Sequence, residues 1–107
     1  MDSQVGENSR NTPCVTLVNV IEIHPHALTH GQAEQDIVSA LNSETGAIRQ
    51  RDAHDVERWL LIGFNARGNL IQVIKIIRED GSILVIHAMK AQKMTIETIE
   101  RARRGQI

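Results

Sequence analysis

The stretch from Arg58 to Lys90 constrains the fold more than any other part of the sequence, because it combines β-branched residues with glycine-containing breaks. Residues 65–68 and Asp80-Gly81 interrupt three segments that are rich in Ile, Val and Leu. Glycine tolerates the positive φ that short hairpin loops require, and Asp-Gly is among the strongest hairpin signals. The sequence therefore predicts three antiparallel strands joined by tight turns, at residues 59–64, 70–78 and 82–89.

Helical periodicity is clearest in residues 32–42, where Ile37, Ala40 and Leu41 fall on one stripe and polar residues face the other way. Pro25 is placed to begin a short helical turn before this helix, because proline is favoured at the first helical position. The segment before this region is largely apolar and is predicted as a strand at residues 15–23, and residues 47–51 (AIRQR) are predicted as a further strand.

A second helix is predicted near the end of the chain, over residues 95–104. Ile96 and Ile99 face inward in this helix, and Gly105 is suited to ending it. The order of the elements predicts an α+β fold, in which an antiparallel β-sheet carries the helices on one face.

Length and composition describe an ordinary soluble chain. Its 107 residues, with 41% hydrophobic residues and a formal charge of -1, suffice for a single domain, predicted at residues 15–107. Residues 1–14 are mostly polar and are expected to be disordered, and the single Cys14 excludes an internal disulfide. There is no run of about 18 apolar residues and no signal-peptide pattern, so we expect a cytoplasmic protein that does not contact a membrane.

Several kinds of catalytic site are not indicated. The five histidines include His24 and His26, two residues apart, but we recognise no HExxH, CxxC or other metal-ligand spacing. No glycine pattern resembles a phosphate-binding or dinucleotide-binding loop, and there is no GxSxG motif. We therefore expect neither a bound metal nor a cofactor.

Positive charge is concentrated on the predicted strands and just after them. Lys75 in the central strand and His87 in the last strand each interrupt a face that is otherwise apolar. One interpretation is structural, with a lysine that reaches water and a hydrogen-bonded histidine at the rim of the sheet. The other is a phosphate-binding surface, where cations stabilise a transition state while an imidazole or an amine moves protons.

Four short motifs follow one another along the chain: His30-Gly31 before an acidic amphipathic helix, residues 57–63 (ERWLLIG), residues 67–73 (RGNLIQV) and residues 86–91 (IHAMKA). Together they resemble the BrnT family of bacterial type II toxins, small ribonucleases of the RelE-like fold. The resemblance covers residues 20–104. It implies a RelE/BrnT-like fold, cleavage of RNA that arrests growth, and a cognate antitoxin protein with which the toxin forms an oligomer.

A toxin ribonuclease of this type needs no metal, because the 2′-hydroxyl of RNA is the nucleophile. His87 is the candidate base or acid, and Lys75 or Lys90 is the candidate for stabilising charge in the transition state. Four further cations are candidates for binding RNA phosphates: Arg49, Arg51, Arg58 and Lys93.

The chain departs from the family pattern at the end of the last predicted strand. The family sequence there is typically Ser-Ala-Arg, then Lys or Arg, then Ala, whereas residues 87–91 of this chain are HAMKA. Met89 cannot donate a hydrogen bond, so the arginine expected to bind phosphate is missing, while His87 adds an imidazole in place of serine. Catalysis is then either rerouted through His87 or lost.

Two other interpretations stay open at this point. The first is a non-catalytic interaction module, which keeps the toxin fold and only binds a partner protein or RNA. The second is a soluble domain with no role in nucleic-acid chemistry. Clustering of the cations on one concave surface would favour a nucleic-acid role over this last interpretation, and the residues concerned are Arg49, Arg58, Lys75 and Lys90.

Overall fold

A sheet of five strands lies at the centre of the computed structural model, which describes residues 20–105 of the chain. The predicted disordered segment at residues 1–14, Cys14 and the first part of the strand predicted at residues 15–23 lie outside the described residues. The elements in chain order are β1 (Ile21–Ile23), a 3-10 turn (Pro25–Leu28), α1 (Glu34–Asn42), β2 (Gly46–Arg51), β3 (Glu57–Phe64), β4 (Leu70–Ile77), β5 (Ile83–Lys90) and α2 (Lys93–Arg104).

The predicted antiparallel meander is confirmed, since β3, β4 and β5 are consecutive neighbours in the sheet and pair antiparallel. Gly68 and Gly81 adopt φ values of 83° and 87° in the two turns, as the hairpin signals require. The first turn is closed by the hydrogen bond from the Asn65 amide to the Asn69 carbonyl (2.8 Å), and the Asn65 side-chain oxygen accepts two more backbone N–H groups.

The sheet is mixed, so the prediction of a purely antiparallel sheet is wrong at its first strand. The strand order is β1-β5-β4-β3-β2, and β1 runs parallel to β5, with Ile21 opposite Ile83 and Ile23 opposite Val85. The alternation of apolar residues within a strand carries no information on the direction of a partner that is distant in sequence. The position of β1 at one edge is what brings the segment that follows it next to β5.

One face of the sheet packs against α1, and we call it the α1 face. Leu61, Val73 and Ala88 lie in one row across the strands and are fully buried with Ile37 of the helix. The approach is close at Gly63, where a Cβ would overlap the carbonyl oxygen of Ala40. Glycine is therefore needed at this position for α1 to lie on the sheet.

The opposite face packs against α2, and we call it the α2 face. Leu60 and Ile62, which alternate with Leu61 along β3, are buried with Ile99 of α2, and a Cβ at Gly46 would overlap the Ile99 side chain. The expectation that both helices lie on one face is therefore wrong. A strand with apolar residues at both odd and even positions is apolar on both faces. Both faces then need cover, because an uncovered face would expose a continuous apolar surface to water.

A buried carboxylate fixes α1 to the turn between β3 and β4. Asp36 accepts hydrogen bonds from the Ala33 amide (2.9 Å) and the Ala66 amide (3.1 Å), and the Arg67 guanidinium lies 4.0 Å from it. Beside it, the side-chain Nδ2 of Asn65 donates to the Gln32 Oε1 at 3.1 Å. Buried polar groups are tolerated when they are hydrogen-bonded in this way, so the α1 face is closed at this end by a satisfied polar network.

Candidate functional site

Three imidazoles meet beside the outer part of β5. The ring centroids of His26 and His30 are 5.9 Å apart, and those of His30 and His87 are 5.3 Å apart. One ring nitrogen from each residue lies within 4.8 Å of the others. We call His26, His30 and His87 the imidazole cluster. The cluster joins two segments that are far apart in sequence, the loop after β1 and the last strand.

The loop after β1 is held in place by its backbone. The His24 amide donates to the Val85 carbonyl at 2.8 Å, and the His24 Nδ1 accepts from the His26 amide at 3.1 Å, directly before Pro25 begins the 3-10 turn. Ala27 is fully buried in the apolar cluster of the α1 face. The loop therefore wraps around the edge of β5 that β1 leaves uncovered, and it brings His26 and His30 to His87.

His87 belongs to the α2 face. His87 in β5 lies opposite Ile74 in β4, which lies opposite Leu60 in β3. Residues that are directly opposite on paired strands point to the same face of the sheet. The register shifts here, because Lys75 pairs with Val85 while Ile74 pairs with His87, so Ile86 is an extra residue in β5. A β-bulge of this kind bends the strand and changes the direction of neighbouring side chains.

The environment of His87 favours its neutral form. Burial lowers the pKa of His87 from its ordinary value, and the nearby His30, His26 and Arg58 lower this pKa further. His26 and His30 are exposed, whereas His87 is half-buried. The cluster therefore combines one imidazole that keeps its lone pair with two imidazoles that are open to solvent.

Arg58 is the predicted cation that lies with the cluster. It alternates in β3 with Trp59 and Leu61, so it lies with Leu60 and Ile62 on the α2 face. Its charge contributes to lowering the pKa of His87. The Arg58 Nε is buried and has no hydrogen-bond partner among residues 20–105. A buried donor without a partner costs free energy, which an anion bound at the guanidinium would recover.

Three of the predicted cations lie on the other face of the sheet. Arg49 and Lys75 lie on either side of Trp59 on neighbouring strands, and all three point to the α1 face. Arg51 is two residues beyond Arg49 in β2, so it points to the same face. Each of the three has an acidic partner, as follows: Arg49 with Glu57 (3.3 Å), Arg51 with Asp55 (3.5 Å) and Lys75 with Glu44 (3.6 Å). The predicted set is therefore divided between two faces.

Lys90 and Lys93 lie at the end of β5 and the start of α2, and both are exposed. Met89, where the resemblance to the BrnT family would predict an arginine, is half-buried on the α2 face, opposite Gln72. Lys90 borders a cavity of about 370 Å³ between β4, β5 and α2, lined also by Asn69, Leu70, Ile71, Ala91 and Ile96.

The sequence reasoning missed two of the three clustered histidines. Its survey of ligand spacings passed over His26-x3-His30, although two histidines separated by three residues are a recognised metal-ligand spacing. That spacing was the available signal for the pair. Its meeting with His87 depends on the parallel pairing of β1 and β5, for which the sequence offered no local signal.

Comparison of the chain with protein-family models, with curated proteins and with solved structures finds no match. The geometry of the site and the motif resemblance described above are therefore the grounds for a functional proposal. None of the helices within residues 20–105 is long and apolar enough to cross a membrane.

Proposed function

We propose that this protein is a metal-independent ribonuclease of the toxin class, with a RelE/BrnT-like fold and its site at the imidazole cluster. The observation that supports this proposal best is the meeting of His26, His30 and His87 on the sheet face that also holds Arg58. Imidazoles, together with a guanidinium on the same face of the sheet, are the groups that RNA cleavage without metal requires.

The proposed reaction uses the 2′-hydroxyl of RNA as nucleophile. His87, which is half-buried and neutral, accepts the 2′-hydroxyl proton as this oxygen attacks the adjacent phosphorus. His30, whose ring is 5.3 Å from that of His87, donates a proton to the departing 5′-oxygen. The products are a 2′,3′-cyclic phosphate and a new 5′-hydroxyl, so the proton taken at one oxygen is balanced by the proton delivered at the other. Each such proton transfer contributes about 10²–10⁴-fold to the rate.

Arg58 has the binding role in this proposal. A guanidinium donates to phosphate oxygens in a fixed geometry, and it stabilises the extra negative charge of the pentacoordinate phosphorus. Lys90 lies three residues beyond His87 along β5, a distance of about 10 Å in an extended strand. Lys90 pairs with Ile71 and so belongs to the α1 side of β5, whereas Lys93, which is exposed at the start of α2, is the cation that would meet a second phosphate of the same RNA strand.

The ion pairs on the α1 face alter the predicted assignment of roles. Lys75 has no role in the proposed site, because its ammonium is paired with Glu44 and its side chain is only 16% exposed. Arg49 and Arg51 likewise have no role there. This smaller number of cations is the observation that favours the second candidate function, a non-catalytic module that binds a partner protein such as an antitoxin.

The test is cleavage of a fluorescent RNA oligonucleotide by the purified chain in the presence of a chelator. We expect a 2′,3′-cyclic phosphate product by mass spectrometry, no loss of cleavage in the chelator, and growth arrest with RNA loss when the chain is expressed in bacteria. His87→Gln should lower the cleavage rate by about 10²–10⁴-fold with RNA affinity nearly unchanged.

His54→Gln is the matched control, since His54 is exposed in the turn between β2 and β3. It should cleave at the wild-type rate. If the folded wild-type chain cleaves no RNA, the binding-module candidate replaces the ribonuclease. If His87→Gln cleaves as fast as the wild type, the proton carrier is another group, and His26, the remaining imidazole of the cluster, becomes the next residue to replace.

A further inference from the structure

The imidazole cluster has a second chemical capacity, which is the binding of a metal ion. The cluster offers three imidazole nitrogens from two segments of the chain. One ring nitrogen of each histidine lies within 4.8 Å of the other two. Three histidines and one open position are a ligand set found in zinc sites of proteins. No carboxylate or thiolate belongs to this group within residues 20–105, so the donors are nitrogen alone.

The distances require only a small movement of side chains. Zn²⁺ binds histidine nitrogens at about 2.0–2.1 Å, which places two ligand nitrogens of a tetrahedral site about 3.3 Å apart. The present separations exceed this by roughly 1.5 Å at most, a gap that rotation about side-chain bonds closes. His26 and His30 are exposed and free to rotate, while the half-buried His87 supplies the fixed point.

The backbone that carries the exposed pair is already ordered. The hydrogen bond from the His24 amide to the Val85 carbonyl ties the start of the loop to β5, and the buried Ala27 anchors its middle. The Thr29 hydroxyl donates to the His26 carbonyl at 2.8 Å, which closes the turn between the two histidines. A ligand set on a fixed backbone loses little conformational entropy on binding, because only side-chain rotations remain to be restricted.

The local charge determines what completes the site. Arg58 lies near enough to His87 to lower its pKa, so a dication meets one positive neighbour. The same charge favours an anion, such as hydroxide, chloride or phosphate, as the fourth ligand. Nitrogen donors with one open position suit the divalent metals at the end of the first transition series, with Zn²⁺ and Cu²⁺ bound more strongly than Mn²⁺ or Fe²⁺.

We propose that His26, His30 and His87 bind one divalent transition-metal ion, with Zn²⁺ as the best-suited ion, and leave one coordination position for water or an anion. The ion would join the loop after β1 to the last strand. This inference goes beyond the proposed ribonuclease and does not rest on it, because binding is measured without RNA. Metal binding and proton transfer exclude each other at His87, since a nitrogen lone pair that is bound to metal accepts no proton.

The test is a calorimetric titration of the full chain, without a histidine tag and freed of metal, with Zn²⁺ at pH 7.5. We expect one ion per chain and a melting temperature that rises with the Zn²⁺ concentration, because a ligand that binds only the folded state stabilises it. Co²⁺ provides a second measurement, since its visible absorption reports nitrogen ligands in tetrahedral geometry.

Two single variants and one control separate this site from adventitious binding. His30→Gln removes an exposed ligand that holds no structural hydrogen bond in the described chain, so the variant should fold and should bind Zn²⁺ at least tenfold more weakly. His87→Gln should do the same, whereas His54→Gln should bind as the wild type does. The proposal is overturned if the wild type binds no Zn²⁺, or if His30→Gln and His87→Gln both retain wild-type affinity.

Discussion

The two faces of the sheet differ in how completely they are covered. The α1 face has a cluster of eight buried residues that runs across the sheet, while the cluster of the α2 face has three, at the end where α2 lies. The row that begins at Leu60 on the α2 face ends at the half-buried His87, and the same face carries Arg58 on the strand of Leu60. The α1 face therefore holds the larger apolar core. The α2 face combines a smaller apolar core with the polar imidazole cluster, at the end of the face that α2 does not cover.

This difference shows where polar groups are tolerated. On the α1 face Lys75 is paired with Glu44, and Asp36 has backbone partners, so these charges are satisfied within the fold. On the α2 face the Arg58 Nε has no partner among residues 20–105. A satisfied buried group stabilises one structure, whereas an unsatisfied donor favours the binding of an external anion.

Neighbouring residues of β3 provide the sharpest test of the comparison, because Leu60 and Leu61 face opposite sides. Leu61 is 0% exposed in the larger cluster, and Leu60 is 9% exposed in the smaller one. Leu61→Ala should lower the free energy of unfolding by about 4–5 kcal/mol and Leu60→Ala by about 2–3 kcal/mol, at opposite ends of the usual range for this substitution. Urea denaturation with a common m value measures both. Equal losses would mean that the two faces contribute equally to stability.

The second prediction concerns the helix that covers the α2 face. Ile99 is fully buried against this face, so Ile99→Ala should lower the free energy of unfolding by roughly 2–4 kcal/mol. Ile96→Ala is the control, because the half-buried Ile96 should cost clearly less. An unchanged denaturation midpoint for Ile99→Ala would show that α2 is not docked in solution. The α2 face would then offer an apolar surface to a partner chain.

The third and smallest effect concerns RNA affinity, measured by fluorescence anisotropy at several salt concentrations in the His87→Gln background, in which cleavage should be slow. Arg58→Gln should reduce the slope of log affinity against log salt by roughly 0.7, the value for one phosphate contact on a single strand. Arg49→Gln should leave the slope unchanged, because Arg49 lies on the α1 face in an ion pair with Glu57. A reversed result would move the RNA-binding surface to the α1 face.

The parts of the fold that the sequence predicted are those with local causes. Gly68 and Gly81 mark the two turns of the meander, and the stripe through Ile37 and Ala40 marks α1. The predicted ends of these elements differ from the observed ends by one or two residues. Hairpin pairing and amphipathic periodicity are read from neighbouring residues, so no knowledge of the rest of the chain is needed.

The parts that the sequence did not predict depend on contacts between distant residues. The direction of β1 is set by its pairing with β5, and the imidazole cluster exists only because of that pairing. The placement of the helices on two faces was missed although β3 contained a signal for it. Leu60, Leu61 and Ile62 are consecutive and all buried, a pattern that requires apolar cover on both sides of a strand.

The parallel pairing of the first and last described strands also has a consequence for the order of folding. The hairpins of the meander close short loops, but Ile21 meets Ile83 only after a loop that includes α1, β2, β3 and β4 has been closed. Contacts of long sequence separation have a larger entropic cost and form late. During synthesis, His26 and His30 leave the ribosome long before His87 does. A nascent or truncated chain without β5 therefore lacks the imidazole cluster, which can assemble only after β5 has been synthesised.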